Sequence, residues 1–260
     1  MAFAKYLYKV KDLSCYSGSK ICFFDSGIGG LTLLYVCARK MPQAEFYYFA
    51  DNFNVPYGSL SEEKMLQKTD KFFSEIEKLK PSAAVIGCNT VTAICAGYLR
   101  KKYDFPIIGI QPAVKPAAAS LQSSAVLATP ATAVSESLKR LVDVYGNGVT
   151  DIVACPDLAA YIEDNIFRLN AEDISKLLPS MEVKNIVLGC THYIFAKEYI
   201  SQKYNCKIFD GLEGTANRLL HILNAAPNDS GLHCIPEINF VGGDAEKNRR
   251  VFYEVLVTKK

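Results

Sequence analysis

The sequence predicts an α/β protein made of two pseudo-symmetric parallel-sheet domains with the active site between them. Short apolar runs typical of buried strands alternate with stretches of helical spacing, which is the pattern of a parallel α/β sheet. The same series of runs occurs a second time along the chain, and in both copies the third run ends in Gly-Cys. We therefore interpret the chain as an internal duplication.

The first series predicts four strands joined by helices. Its apolar runs are ICFFD at 21–25, FYYFAD at 46–51, AAVIGC at 83–88 and PIIGI at 106–110. Between the second and third runs, residues 61–79 place apolar side chains at helical spacing among charged ones. We expect a helix there, with Ser61 as its N-cap.

The second series follows the same order. Its runs are SAVLAT at 124–129, TDIVAC at 150–155, NIVLGC at 185–190 and CKIFD at 206–210. The alignment that places Val85–Thr90 over Val187–His192 also brings Asp25 to within a few positions of Thr129. This agreement in register is the main support for a duplication.

The duplication predicts the domain boundaries. We expect a first α/β domain formed by 1–111 plus 210–260 and a second formed by 112–209. The last segment has two helical patterns around a strand candidate, Ile238–Val241, and should pack back on the first domain. Ligands of open α/β sheets bind at the carboxyl ends of the strands, so both Gly-Cys turns should border one shared cleft.

The composition predicts a cytoplasmic globular protein. Of its 260 residues, 50% are hydrophobic and 22% are charged. The net charge is +2 and the lysines are dispersed, so we expect no nucleic-acid partner. The N-terminal stretch lacks the apolar region of a signal peptide, and no segment reaches the ~18 apolar residues of a membrane span. Nine cysteines without a CxxC pair or zinc-like spacing predict a reducing compartment and no metal site.

Cys88 and Cys190 are the strongest candidates for chemistry. Either cysteine alone would be interpreted as a small hydrophobic core residue. As a pair, both follow glycine and precede polar residues at a predicted strand-to-helix turn, which core packing does not require. A helix N-terminus lowers the pKa of a thiol, so two facing thiols could remove a proton from one face of a carbon and deliver one to the other. A disulfide switch and a metal site are alternatives that the spacing does not favour.

Other polar residues near these turns have open interpretations. Asp25 and Ser26 begin the glycine-rich loop DSGIGG, which could be a phosphate loop, a carboxylate cradle or only a tight turn. Pro56–Gly58 has the composition of a turn. His192 could share a proton in the cleft or simply bind the backbone at a helix start. Glu163, judged from its neighbours alone, is a solvated helix position.

Six short motifs occur in a fixed order along the chain. They are DSGIGG (25–30), PYG (56–58), GCNTVTA (87–93), ATPAT (128–132), ACPDLAAYIE (154–163) and GCTHY (189–193). This ordered set, which extends from about residue 21 to at least 211, resembles the glutamate racemases of the aspartate/glutamate racemase superfamily. The resemblance implies a two-domain, pseudo-symmetric fold and conversion of L-glutamate to D-glutamate for bacterial peptidoglycan. It also implies no pyridoxal phosphate, no metal and a possible homodimer.

The resemblance further implies roles for individual residues. Cys88 would act on the D-isomer and Cys190 on the L-isomer, with Asp25 and His192 assisting and Glu163 as a third helper. The implied substrate contacts are Asp25, Ser26, Tyr57, Gly58, Asn89, Thr90, Thr191 and His192, with Thr129 and Thr132 as further contacts.

The chain departs from the family pattern at four places. Asn54 stands where the family often has Arg, Gln111 replaces a frequent Glu, Ala128 replaces a common Gly, and Ile194–Phe195 replace a frequent Pro-Leu. These departures leave glutamate and other small acidic amino acids open as substrates, because the residues that line the remainder of the pocket determine which substrate side-chain length fits. The alternatives are a racemase of aspartate or another small acid, and a two-domain small-acid-binding protein without catalysis.

Overall fold

The computed structural model describes residues 18–227 and 235–258 and contains two parallel β-sheets. The first sheet consists of β1 (Lys20–Asp25), β2 (Glu45–Ala50), β3 (Ala83–Ile86), β4 (Ile107–Gly109) and β9 (Ile238–Val241). The second sheet consists of β5 (Ser124–Ala128), β6 (Thr150–Ala154), β7 (Asn185–Leu188) and β8 (Lys207–Phe209). Each strand lies within a residue or two of an apolar run named above.

The strand orders confirm the predicted fold class. The first sheet has the order β4-β3-β1-β2-β9 and the second has the order β6-β5-β7-β8. Reversed, the second order is β8-β7-β5-β6, which matches the first four strands of the first sheet. All pairs are parallel, as between β1 and β3 or β5 and β7. The topology is therefore that of two related α/β units.

The C-terminal segment returns to the first sheet, because β9 pairs with β2. Below, "first half" means the described residues up to 111 and from 210 onwards, and "second half" means residues 112–209. These limits follow the predicted domain boundaries, which themselves remain a prediction.

Helices cover the sheets and supply the turns at their carboxyl ends. The α-helices are α1 (Leu31–Lys40), α2 (Glu62–Lys78), α3 (Asn89–Lys102), α4 (Val114–Ala118), α5 (Pro130–Val134), α6 (Glu136–Tyr145), α7 (Leu158–Asn165), α8 (Ala171–Leu177), α9 (Lys197–Tyr204), α10 (Leu212–Ile222) and α11 (Ala245–Arg250). In the part of the chain that the structure describes, 3₁₀ turns occur at Asn52–Asn54, Tyr57–Ser59 and Thr191–Ala196, and a π-helical segment, Val251–Val257, follows α11. Within the described ranges, no helix is both long and apolar enough to cross a membrane.

The central strand β1 is buried on both faces. Ile21, Cys22, Phe23 and Phe24 are all fully inaccessible to solvent. A parallel sheet covered by helices on both sides requires such a continuous apolar run rather than an alternating one. The polar residue that ends the strand, Asp25, is also fully buried, and its environment belongs to the site described below.

Helix α2 confirms the prediction made for residues 61–79. The Ser61 hydroxyl accepts a hydrogen bond from the Lys64 backbone N–H at 3.4 Å and so caps the helix. The helix buries Met65 and Phe73 completely, and the ring of Phe73 lies 6.0 Å from that of Phe24 in an edge contact. Its apolar face therefore packs on β1 as the spacing predicted.

We expect Phe73→Ala to lower the free energy of unfolding by ~3 to 5 kcal/mol, because it leaves a cavity among packed rings. Phe53→Ala is the matched control, since Phe53 is 80% exposed and its loss should change stability by no more than ~0.5 kcal/mol. Urea denaturation followed by far-UV circular dichroism measures both. Equal losses in the two variants would contradict this account of the core.

Candidate active site

The two predicted catalytic thiols lie at the carboxyl end of the third strand of each half. Cys88 follows β3 and occupies the N-cap position of α3, and Cys190 follows β7 directly before the 3₁₀ turn Thr191–Ala196. Both cysteines are 7% exposed. Because β3 and β7 occupy the same place in their sheets, the duplication puts the thiols at equivalent positions.

Cys88 lies against residues of the first half. The Ser26 hydroxyl is within 3.6 Å of the Cys88 Sγ and donates to it. Burial, and then the negative charge of Asp25, raise the pKa of Cys88 to about 12, although the Val91 backbone N–H and Ser26 lower it. The expectation that the helix start brings this pKa toward neutrality is therefore wrong for Cys88, because burial outweighs the hydrogen bond from the first turn.

Asp25 is a buried carboxyl group with one oxygen bound and one unpaired. Its Oδ1 accepts from the Gly27 N–H at 2.7 Å, and its Oδ2 has no hydrogen-bond partner among the described residues. Burial raises the pKa of Asp25 to about 7, against the lowering effect of the positive charge on His192. A Cβ atom at Gly87, the residue before Cys88, would lie 3.2 Å from Asp25 Oδ2. Asp25 is thus placed to exchange a proton near Cys88 at neutral pH.

Cys190 has a histidine neighbour instead of a hydroxyl. The Nδ1 atom of His192 lies 3.9 Å from the Cys190 Sγ, and its Nε2 atom lies 2.8 Å from Glu163 Oε2. Burial alone lowers the pKa of His192, but the interactions with Cys190 and Glu163 raise it well above its ordinary value. These interactions therefore favour the protonated form of the imidazole. Its ring binds a side chain, so the interpretation as a backbone-bonded histidine is wrong.

Glu163 is buried rather than solvated, which corrects the interpretation from its sequence neighbours. It is 1% exposed because α7 turns it toward the first half, where the Ile28 N–H donates to Oε2 at 2.9 Å. Burial raises the pKa of Glu163, but the hydrogen bond and charge of His192, and then Lys247, lower it to about 2. Glu163 and His192 therefore form a buried ion pair.

The glycine-rich loop between β1 and α1 packs against the second half. A Cβ atom at Gly29 would lie 2.5 Å from Thr191 Oγ1 and 2.7 Å from His192 Nδ1, and one at Gly27 would overlap Glu163. Such distances are too short for any side chain. The glycines therefore permit a close approach between the halves, beyond the tight turn or cradle considered from the sequence.

Three threonine hydroxyls meet where the two halves join. Thr90 Oγ1, at the start of α3, lies 3.0 Å from Thr129 Oγ1 and 2.9 Å from Thr132 Oγ1. Gly58 also touches this cluster, since a Cβ there would lie 2.8 Å from the Thr129 Cβ. The structure thus brings together the predicted contacts Gly58, Thr90, Thr129 and Thr132.

Tyr57 and Asn89 differ in how their polar atoms are used. The Tyr57 hydroxyl donates to Asp51 Oδ2 at 2.7 Å, within the first half. Asn89 is buried, and neither its Oδ1 nor its Nδ2 has a partner among the described residues. It lines a small cavity together with Thr132 and Gln111. Asn89 therefore has the free hydrogen-bonding capacity that a polar ligand would use.

Three residues around Glu163 were not predicted from the sequence. Asn52 and Lys247 both bind its carboxylate, and Asn248 binds Asn52. These contacts join residues far apart in the chain, and none of the three lies in a motif, so no local pattern could have identified them. Among the described residues, no group of three or more potential ligands is arranged to hold a metal ion.

Comparisons with known sequences identify the family. The profile of the Asp/Glu/hydantoin racemase family matches residues 33–219. Glutamate racemase from Leptospira interrogans is 32% identical over 255 residues, which cover 93% of this chain and 98% of the relative. Glutamate racemase from Lachnospira eligens is 37% identical over 214 residues, which cover 77% and 80% of the two chains.

Solved structures agree with the fold. Glutamate racemase from Escherichia coli superposes with a TM-score of 0.77 at 23% identity, covering 92% of this chain and 94% of that one. The enzyme from Thermus thermophilus gives a TM-score of 0.68 at 26% identity, covering 92% and 93%. With a family profile over more than half of its residues and relatives above 30% identity over most of its length, the chain belongs to the Asp/Glu/hydantoin racemase family.

Proposed function

We propose that this protein is an isomerase that interconverts L- and D-glutamate, with Cys88 and Cys190 as opposed acid and base. The observation that carries the proposal is the equivalent position of the two thiols at the carboxyl ends of β3 and β7, in halves that meet around them. Sequence relatives named glutamate racemase over most of the chain support the substrate.

The reaction is a transfer of one proton on and one proton off the same carbon. In the L-to-D direction, the Cys190 thiolate takes the proton from Cα, and the C–H electron pair passes into the planar Cα–carboxylate system. The Cys88 thiol then donates its proton to the opposite face, which gives D-glutamate. Cys88 ends as a thiolate and Cys190 as a thiol, and one proton must return through the site before the next turnover in the same direction. Such positioned acid and base groups each contribute ~10² to 10⁴-fold.

The electrostatics of the site fit the L-to-D starting state. His192 Nδ1 lies 3.9 Å from Cys190 Sγ, and the interactions with Cys190 and Glu163 raise the pKa of the imidazole well above its ordinary value, which favours a positive charge beside this sulfur. Cys88, with its pKa raised to about 12 by burial and by Asp25, is held as the neutral thiol. Asp25, with a pKa raised to about 7 by burial, is suited to return the proton between turnovers.

Unpaired buried polar atoms support the binding of a small, highly polar substrate. Asp25 Oδ2 and both side-chain polar atoms of Asn89 have no partner in the described structure. A buried polar group without a partner costs ~1 to 3 kcal/mol, which a substrate with an ammonium group and two carboxylates would recover. Hydroxyls of Ser26, Thr90 and Thr191, at the same strand ends, supply further donors.

The proposal extends to the cellular role. D-glutamate would be supplied to peptidoglycan synthesis in the cytoplasm, without a cofactor or metal, and the protein would act as a homodimer. The domain boundaries, 1–111 plus 210–260 and 112–209, are part of the same proposal.

Replacing either thiol should abolish turnover. In Cys88→Ser and Cys190→Ser the hydroxyl is too weak an acid and base, so the rate of racemisation should fall by at least ~10²-fold. Circular dichroism of the amino acid and deuterium uptake at Cα measure the loss. Cys206→Ser is the matched control, because Cys206 is a half-exposed thiol away from the site, and it should keep the parental rate. Parental rates in both site variants would refute the two-thiol mechanism.

A panel of L-amino acids tests the substrate. Glutamate should lose its optical signal fastest, with aspartate, glutamine and serine slower by at least about tenfold, the order of discrimination that one missing methylene or one lost hydrogen bond allows. Faster conversion of aspartate would reassign the enzyme within the family. Tight binding without deuterium uptake at Cα would favour a binding protein.

Asp25→Asn should change how stability depends on pH. The folded-state pKa of Asp25 is raised to about 7 by burial, above its value of about 3.8 when exposed. The stability linked to this proton is therefore complete below about pH 4 and is lost as pH rises through about 7. Between pH 5 and 8 the free energy of unfolding should fall more in the parent than in Asp25→Asn, because the asparagine side chain does not titrate. Parallel urea-denaturation profiles for the two proteins would show that Asp25 titrates normally.

A further inference from the structure

The carboxylate of Glu163 is held by four donors, three of which come from the first half. Its Oε2 accepts from the Ile28 N–H at 2.9 Å and faces His192 Nε2 at 2.8 Å. Its Oε1 accepts from Lys247 Nζ at 2.9 Å and Asn52 Nδ2 at 3.0 Å. Glu163 and His192 belong to the second half, so the ion pair next to Cys190 is fixed from across the interface.

Lys247 binds both the side chain and the backbone carbonyl of Glu163 in α7. Its Nζ atom donates to the Glu163 backbone carbonyl at 2.7 Å in addition to the carboxylate. Its backbone N–H is bound by Asp244 Oδ1 at 2.9 Å, which caps α11 and fixes where the lysine starts. The Lys247 side chain is 24% exposed, whereas that of Glu163 is 2% exposed. The contact is therefore largely shielded from solvent, where a charged hydrogen bond is strong.

Two asparagines, Asn52 and Asn248, hydrogen-bond to each other next to Lys247. Asn52 Nδ2 donates to Asn248 Oδ1 at 3.1 Å, and Asn248 Nδ2 donates back to Asn52 Oδ1 at 2.9 Å. The Asp244 backbone N–H also donates to Asn52 Oδ1 at 3.1 Å. These bonds connect the start of α11 to the turn after β2. They therefore hold the backbone of α11, from which the Lys247 side chain extends to Glu163.

From this geometry we infer that Lys247 is a positioning residue for the proton transfer at Cys190, acting through Glu163 and His192. By fixing Glu163, it orients the imidazole so that Nδ1 faces the Cys190 sulfur. The titratable groups that face His192 are Glu163, Cys190 and Asp25, and Lys247 binds the Glu163 carboxylate on the side away from the imidazole. This role rests on the proposed two-thiol racemisation. Cys88 receives no such support, since its partner is Ser26.

Lys247→Met should slow one of the two proton transfers selectively. We expect kcat/KM to fall about tenfold, the loss typical of one charged hydrogen bond, and to fall equally in both directions because enantiomers have equal free energies. The primary isotope effect on kcat/KM should rise with [2-²H]-L-glutamate, whose label Cys190 removes. It should fall with [2-²H]-D-glutamate, whose label Cys88 removes, because that step becomes less rate-limiting.

Lys247→Arg should restore most of the rate and the parental isotope effects. Lys102→Met is the matched control, since Lys102 pairs with Asp70 on the surface of the first half and should leave both isotope effects unchanged. If Lys247→Met fails to fold, Lys247→Gln carries the same expectations. Isotope effects that stay at parental values, or that move in the same direction for both enantiomers, would overturn the role of Lys247 at Cys190.

A second measurement does not depend on turnover. The chain has three histidines, so ¹⁵N-histidine labelling resolves the His192 Nε2–H signal, which is identified by its absence in His192→Asn. In Lys247→Met this proton should exchange with water at least about tenfold faster, because Glu163 is no longer clamped. Unchanged exchange would overturn the inference. If the exchange is faster in Lys247→Met but the parent protein does not racemise glutamate, the proposed function is refuted, while the positioning of Glu163 and His192 by Lys247 still holds.

Discussion

The arrangement of the candidate active site depends on the hydrogen bonds that the Glu163 carboxylate makes between the two halves. This carboxylate is buried in the second half, yet most of its donors belong to the first half, through the Ile28 N–H, Lys247 and Asn52. A buried carboxylate is stable only when such partners satisfy it. Docking of the two halves therefore satisfies and fixes the carboxylate that is hydrogen-bonded to His192. The fold and the chemistry are joined at this one group.

The duplication supplies two equivalent thiols, and their surroundings then make them different. Cys88 has a hydroxyl partner and a neighbouring carboxyl group, Asp25, so burial and negative charge keep its proton in place. Cys190 instead has the His192 imidazole as its neighbour, whose pKa is raised well above its ordinary value by its interactions with Cys190 and Glu163. Two thiols at pseudo-symmetric positions therefore have different polar neighbours. The proposed reaction, which removes a proton from one face of a carbon and adds another proton at the opposite face, uses one thiol as base and the other as acid.

Close packing between the halves depends on residues with little or no side chain. The glycine-rich loop after β1 approaches His192 and Thr191 so closely that Gly29 cannot carry a Cβ atom. Gly58 is equally close to the second half, since a Cβ atom there would lie 2.8 Å from the Thr129 Cβ. The glycines of the DSGIGG and PYG motifs therefore have a packing role in addition to the site residues that the same motifs contain.

Most of the fold could be predicted from the sequence because its signals are local. Each strand is a short apolar run, α2 has a cap and an apolar face, and the repeated Gly-Cys turns place Cys88 and Cys190 at equivalent strand ends. The features that could not be predicted from the sequence depend on contacts between residues that are distant in the chain. Glu163 gives no local sign that it is buried, and Lys247 meets it only because β9 returns the chain to the first sheet.

The pKa of Cys88 could not be predicted for the same reason. The position at a helix start was correct, but burial depends on all the elements that close over the residue. The helix start lowers the pKa of Cys88, but burial raises it by more.

The central claim is that two sulfur atoms address one carbon from opposite sides. A crystal structure of the protein with bound glutamate tests this directly, through the distances from Cα to the Sγ atoms of Cys88 and Cys190. We expect both sulfurs to lie within about 4 Å of Cα, on opposite faces of the plane of its other substituents, as reacting atoms in a productive complex do. A complex with only one sulfur near Cα, or with both on the same face, would contradict it.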